Sequence, residues 1–138
     1  MSSRDIRRKY AQNYLKDPAV LFEMANCIKP KEADSFLEIG PGRGALTNQI
    51  NKLDISIICV DIDSSNIDFM IDKFQGPANF KFINQDILSF ELPIIDSKLR
   101  IVGNLPYNIS TQIMIKFIDD FEKIEDMHFL VQKEVAQK

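Results

Sequence analysis

What this sequence lacks narrows it first. It has no tryptophan, one histidine (His128) and two cysteines, Cys27 and Cys59, both in apolar surroundings. A single histidine and two unrelated cysteines give no metal-ligand spacing, so no metal is expected. The cysteines read as buried free thiols in a reducing compartment rather than as a disulfide. No apolar run approaches the ~20 residues that cross a bilayer. The N-terminus is charged where a secretory signal would be apolar, so a cytoplasmic protein without membrane contact is expected. There is no P-loop lysine, no nucleophile-elbow serine, no repeat and no low-complexity segment. His128, inside a predicted strand with no second ligand nearby, reads as structural. Asp119, Asp120 and Glu122 read as a solvated helix end.

What is present describes one globular domain. The 138 residues are 45% hydrophobic and 27% charged, enough for a real core. Charge is divided unevenly. Arg4, Arg7, Arg8, Lys9 and Lys16 oppose only Asp5, so residues 1–16 carry +4, and the remainder must carry about −7 to reach the net −3. A basic arm on an acidic body can contact phosphates, with Arg4, Arg7, Arg8 and Lys9 as the candidates. A solvated tail accounts for the charge alone equally well.

Strand and helix patterns alternate along the chain. Asp17-Pro18 is a helix start, an N-cap carboxylate followed by proline in the first turn. The helix runs to Ile28 with Val20, Leu21, Met24, Ala25 and Ile28 inward. Strands follow at 35–39, 55–60, 80–83, 99–102 and 127–131. Helices lie between them at 45–53 and 64–74, the latter with Ile67, Met70, Ile71 and Phe74 inward before a Gly76-Pro77 break. Ser110 is read as the cap of a further helix whose inward face is Ile113, Met114, Phe117, Ile118 and Phe121. This alternation predicts a doubly wound α/β sheet with right-handed crossovers, and ligands in such sheets lie beyond the carboxyl ends of the strands.

The residues with chemical promise sit at those ends. Gly40, Gly42 and Gly44 follow the apolar run 36–39, where glycine accepts positive φ and lets backbone approach a ligand. Gly40-x-Gly42-x-Gly44 suits an adenosyl-methionine site. Gly40-x-Gly42-x-x-Ala45 also satisfies the dinucleotide pattern, which leaves a nicotinamide oxidoreductase open at this point. Asp61, roughly twenty residues on, can accept from both ribose hydroxyls of either cofactor, with Ile62 beside it, or can simply cap a turn. Asp86 can accept from an adenine amine with Ile87 against the ring, or cap a short helix. Glu38 can hold a ligand ammonium, a group a hydride-transfer cofactor does not place there.

Asn104-Leu105-Pro106-Tyr107 is the deciding stretch. Proline makes a rigid loop here and removes a donor. The Asn104 side-chain oxygen and the Leu105 carbonyl offer two acceptors for one amine, and Tyr107 offers a face for stacking a flipped base. The exocyclic amine of adenine is a poor nucleophile because its lone pair is delocalised into the ring. Two acceptors on its hydrogens favour pyramidal nitrogen and aim the lone pair at a methyl donor, so catalysis rests on positioning.

With these residues in hand the chain resembles the ribosomal RNA adenine N6,N6-dimethyltransferases of the KsgA type. The carrying stretches are residues 12–15, 38–47, 60–63, 85–86, 103–111 and 127–136, in family order. The resemblance implies a Rossmann-like class I methyltransferase fold with strand order 3-2-1-4-5. It implies S-adenosyl-methionine as donor and two adjacent adenosines near the 3′ end of small-subunit (16S) ribosomal RNA, in the pre-30S subunit, as substrate. By matched motif, Asn13, Leu15, Gly40, Asp61, Asp86 and Asn104 bind the donor, and Asn104 joins Leu105, Pro106 and Tyr107 in the catalytic loop. Leu105 resembles the small-subunit enzymes rather than their macrolide-resistance cousins, which often carry Ile there. Asp61 stands where the family commonly has Glu.

The family's members are about double this length. The expectation is therefore a basic arm, 1–16, and a donor-binding domain, 17–138. It would lack the last strands and a C-terminal helical domain, be impaired in catalysis, and expose strand five as an edge open to self-association, although the full-length enzyme is expected to be monomeric. A non-catalytic donor-binding or RNA-binding module is the alternative.

Overall fold

The computed structural model describes residues 17–52, 54–75 and 79–132. Expectations for the arm (Arg4, Arg7, Arg8, Lys9), for Asn13 and Leu15, for Leu53, for the Gly76-Pro77 break and for residues 133–138 lie outside the described residues.

The elements are α1 (Pro18–Ile28), β1 (Ser35–Ile39), α2 (Ala45–Ile50), β2 (Ser56–Asp61), α3 (Ser64–Lys73), β3 (Phe80–Asn84), a 3₁₀ turn (Ile87–Ser89), β4 (Leu99–Pro106), α4 (Tyr107–Lys116), a 3₁₀ segment (Ile118–Lys123) and β5 (Ile124–Gln132). Five strands form one parallel sheet in the order β3-β2-β1-β4-β5, the order expected from the sequence. Alternate residues of β1 serve two cores. Phe36 packs with Leu21, Met24, Ile28, Leu46, Ile50 and Met70, from α1, α2 and α3. Leu37 and Ile39 pack on the other face with Ile87, Ile113 and Phe117. A helix layer therefore covers each face of the central strands, as parallel ladders require.

The buried Arg100 on β4 ties one of these layers down. It is 4% exposed and lies over the Phe36 ring, 5.2 Å from its centroid. Its guanidinium donates to Asp34 Oδ2 at 2.8 Å, to both Asp126 carboxylate oxygens, and to the Ile28 and Lys29 carbonyls that end α1. One cation thus neutralises two acids and meets the negative end of a helix. Burial alone would raise the Asp126 carboxyl; hydrogen bonds from Arg100 and His128, with their charges, hold it below its ordinary value. His128 Nε2 lies 3.2 Å from Asp126 Oδ2, consistent with the structural role expected of it.

Several expectations are corrected. Cys27 is exposed, on the outer side of α1, whereas Cys59 is a buried free thiol as expected. Ile71 is 46% exposed, because α3 turns Ile67 and Met70 inward and leaves Ile71 at its margin. Ser110 does not cap α4. The helix begins three residues earlier at Tyr107, and the Ser110 hydroxyl donates back to the Tyr107 carbonyl at 2.8 Å. β4 continues through Pro106, so Asn104–Tyr107 is a strand end running straight into a helix rather than a loop. Proline is tolerated at Pro106, where the ladder ends and the first helical N–H would lack a partner.

Met114, Ile118 and Phe121, expected inward, are 54%, 67% and 69% exposed. The 113–121 stripe presumes an uninterrupted helix, but α4 stops at Lys116 and the tighter 3₁₀ turn rotates the rest away. Only Ile113 and Phe117 of that stripe reach the core. Met114, Ile118, Phe121, Ile124 and Met127 line a shallow apolar groove beside β5.

Removing one partner of a buried ion cluster leaves the others uncompensated. Urea unfolding at pH 7 should show Arg100→Met losing about 3 kcal/mol. In the wild type, the Asp126 carboxyl is held below its ordinary 3.8, so its contribution should be present above that pH and lost only as pH falls further.

Candidate active site

The site begins where the ladder around β1 stops. Ile39 is the last residue of β1 to pair, with Val60 on β2 and Gly103 on β4. Gly40, Gly42 and Gly44 then take φ of 64°, 58° and 85°. The Gly40 N–H donates to the Val60 carbonyl at 2.8 Å and the Gly44 N–H to the Pro41 carbonyl at 2.9 Å, closing a tight turn into α2. Lys73 fastens the turn from outside, donating to the Arg43 carbonyl at 3.0 Å. A Cβ on Gly44 would lie 2.9 Å from both Met70 Sδ and Phe74 Cε2, so this glycine is also required by packing. A Cβ on Gly42 would meet nothing within 4 Å; it borders open space.

Asp61 ends β2 beside this turn and is 7% exposed. Its Oδ2 accepts from the Gly42 N–H at 3.3 Å and from Asn66 Nδ2 at 3.2 Å; its Oδ1 accepts from the Asp63 N–H at 2.9 Å. A carboxylate with two long contacts on one oxygen can exchange them for ligand hydroxyls. Ile62 beside it is 71% exposed. Asn84 fixes the peptide behind Asp61, donating to the Asp61 and Ile62 carbonyls at 3.0 and 3.1 Å.

Glu38 lies one layer deeper, 1% exposed between Cys59 and Val102. The Thr47 hydroxyl of α2 donates to its Oε1. Burial pushes this carboxyl up to about 7, with the Thr47 hydrogen bond pulling downward and the Asp61 charge pushing further up. Burial, with the charges of Glu38 and Asp61, also drives the Cys59 thiol far above its ordinary value.

On the other side, β4 runs three residues past Gly103, its last partner on β1, while still pairing with β5 through Pro106↔Gln132. The β1-facing edge of Asn104–Pro106 therefore borders the glycine turn. A Cβ on Gly40 would lie 3.5 Å from Leu105 Cδ2. Leu105 is buried, Asn104 half-buried, and Tyr107 67% exposed. No hydrogen bond among the described residues engages the Asn104 side chain. Tyr107 is held by its backbone, its carbonyl accepting from Ser110 and Thr111.

Gly40, Gly42, Asp61, Glu38 and Asn104–Tyr107 thus converge at one end of the sheet. Asp86 and Ile87 are less directly engaged. Asp86 is exposed and caps the 3₁₀ turn, accepting from the Leu88 N–H at 2.9 Å, and Ile87 faces the core. Sequence reasoning did not single out Thr47, Asn66 or Asn84. Their partners are 9, 5 and 23 residues away, and no local spacing announces them.

A glycine turn, a buried strand-end carboxylate and an Asn-Leu-Pro-Tyr strand end lie on a parallel sheet of order 3-2-1-4-5, the fold shared by Rossmann-like methyltransferases. Residues 3–138 match the family described as ribosomal RNA adenine dimethylase, and the chain belongs to that family. Two relatives are each named ribosomal RNA small subunit methyltransferase A. That of Wigglesworthia glossinidia brevipalpis is 43% identical over 135 residues, covering 95% of this chain and 52% of the relative. That of Coxiella burnetii is 37% identical over 140 residues, covering 100% and 54%. Among solved structures, the 23S rRNA methyltransferase ErmE is 26% identical with a TM-score of 0.73, over 89% of this chain and 49% of its own. A dimethyladenosine transferase from Plasmodium falciparum is 30% identical with the same TM-score of 0.73, over 88% and 44%. The chain spans about half the length of the curated relatives it matches.

The two glycines should separate under mutation. Gly42→Ala should cost about 1 kcal/mol for positive φ alone and obstruct a ligand against the turn. Gly44→Ala should cost about 2 kcal/mol more, adding a clash with Met70 and Phe74. Urea unfolding measures both, and equal losses would contradict this packing.

Proposed function

We propose that this chain binds S-adenosyl-methionine across the ends of β1, β2 and β4. We further propose that it serves N6-dimethylation of two adjacent adenosines near the 3′ end of small-subunit (16S) ribosomal RNA, in the cytoplasmic pre-30S subunit. The observation that carries this reading is the convergence of the glycine turn, Asp61 and Asn104–Tyr107 at one sheet end, in a chain of the adenine dimethylase family. Family membership favours the methyl donor over the nicotinamide cofactor that the glycine spacing alone admits.

The residues fit such a donor. Gly42 borders open space, Asp61 has exchangeable contacts, and the Asn104 amide has no competing partner among the described residues. When bound, the donor supplies a methyl group on a sulfonium. Asp61 would accept from the ribose hydroxyls with Ile62 beside it, Glu38 would balance the ammonium, and Asp86, two residues past the end of β3, would accept from the adenine amine with Ile87 against the ring. For the target base, the Asn104 side-chain oxygen and the Leu105 carbonyl accept from the N6 hydrogens while Tyr107 stacks on the ring. Holding nitrogen pyramidal and aimed at the methyl is a positioning effect that needs no strong base. The basic arm, with Arg4, Arg7, Arg8 and Lys9, contacts RNA phosphates.

The second reading is a donor-binding or RNA-binding module that does not itself transfer methyl groups. Calorimetry on the chain tests donor binding. Methyl transfer is tested with labelled donor and undermethylated small subunits, using the chain alone and the chain extended by a relative's C-terminal half. Asn104→Ala in the active form should lose about 10²-fold or more in transfer while still binding donor. Full labelling by that variant removes Asn104 from the chemistry, and binding without labelling by either form favours the second reading.

A further inference from the structure

We infer that Glu38 and Thr47 form a proton-exchanging counter-charge, so that a cationic donor binds only as Glu38 gives up a proton. This rests on the donor-binding reading above and adds to it a linkage between donor binding and pH.

The argument starts from partners. Glu38 is buried inside the sheet, and the only hydrogen bond to its carboxyl among the described residues is from the Thr47 hydroxyl. The groups facing it from neighbouring elements are Cys59 and Asp61 on β2, Thr47 on α2 and apolar Val102 on β4. One of these is acidic, one is a thiol locked in its neutral form, and none is a cation. A carboxylate so enclosed, with one neutral donor and a second acid nearby, is disfavoured until a positive charge arrives. A hydroxyl suits both states of such a group, since it can donate to the carboxylate or accept from the acid.

Burial therefore leaves the carboxyl substantially protonated near neutral pH in the free chain. A donor ammonium at the end of β1 reverses the balance and the proton leaves to solvent. The free protein carries a matching cost. Its folded state retains on Glu38 a proton that the unfolded state has released, so apo stability attributable to Glu38 falls as pH rises from 4.5 towards 7. A group placed only for packing would show that stability effect without any proton release on ligand binding.

Calorimetry of S-adenosyl-homocysteine, which keeps the same amino-acid end, is run in two buffers of different ionisation enthalpy between pH 6 and 7.5, where the ligand amine stays charged. We expect about 0.9 proton released per ligand bound at pH 6, and affinity rising about tenfold to pH 7.5. Thr47→Val should move that rise to higher pH and Thr47→Ser should restore it. Glu38→Gln should bind more weakly at pH 7.5, with no proton released, yet unfold at the same or higher temperature. Binding that is independent of pH and buffer overturns the linkage and leaves the donor-binding reading standing. Failure of the folded chain to bind at any pH overturns both.

Discussion

The end of a parallel ladder is the constraint on which this molecule turns. Up to Ile39, Val60 and Gly103, backbone groups on β1, β2 and β4 satisfy one another. Beyond that line each must find a new partner or face solvent. The Gly40 N–H turns to the Val60 carbonyl, the Gln85 N–H reaches the Asp61 carbonyl, and Asn84 fills in behind. The chain meets this demand with glycines and short polar side chains, which are also the groups a small polar ligand can engage. The site is therefore a consequence of sheet geometry before it is a consequence of chemistry.

Opposed to this opening is the weight of the closed end. Arg100 gathers Asp34, Asp126 and the C-terminus of α1 at the far ends of the strands, where its charge is fully matched. Glu38, nearer the site, has no such match. The molecule thus holds a compensated buried ion cluster at one end of the sheet and, nearer the glycine turn, a buried acid with no cation beside it. The second arrangement lowers the stability of the free protein above the ordinary carboxyl range, and on the proposed reading a cationic ligand would offset that loss.

Much of the fold was legible because its signals were local. Asp17-Pro18 marks a helix start, β-branched runs mark two-sided strands, and three alternating glycines mark the first crossover. Strand order followed from alternation together with the family resemblance. The errors share a cause. The stripe at 113–121 presumed one helix; a switch from 3.6 to 3 residues per turn after Lys116 sent Ile118 and Phe121 outward, while Met114, still within α4, lies on that helix's exposed side. Pro106 suggested a loop because it cannot donate to a ladder, but at the last strand position it has little to donate to. The site's backbone was legible through glycine, proline and terminal acids. Its supporting contacts, Thr47 to Glu38 and Asn66 to Asp61, were not, because they depend on helix placement over the sheet.

The two cysteines, set apart by α1 and β2, give the protein two thiols of opposite chemical character. Cys27 faces solvent and is open to oxidants or alkylating reagents. Cys59 is fully enclosed, and its thiolate is suppressed by that burial first and by the neighbouring acids Glu38 and Asp61 second. Its side chain lies in the core beneath α1, α2 and α3, so reagent reaches it only when that helix layer opens, and its rate of alkylation is a clock for that opening. A ligand that supplies the cation Glu38 lacks would slow that clock without touching the sulfur.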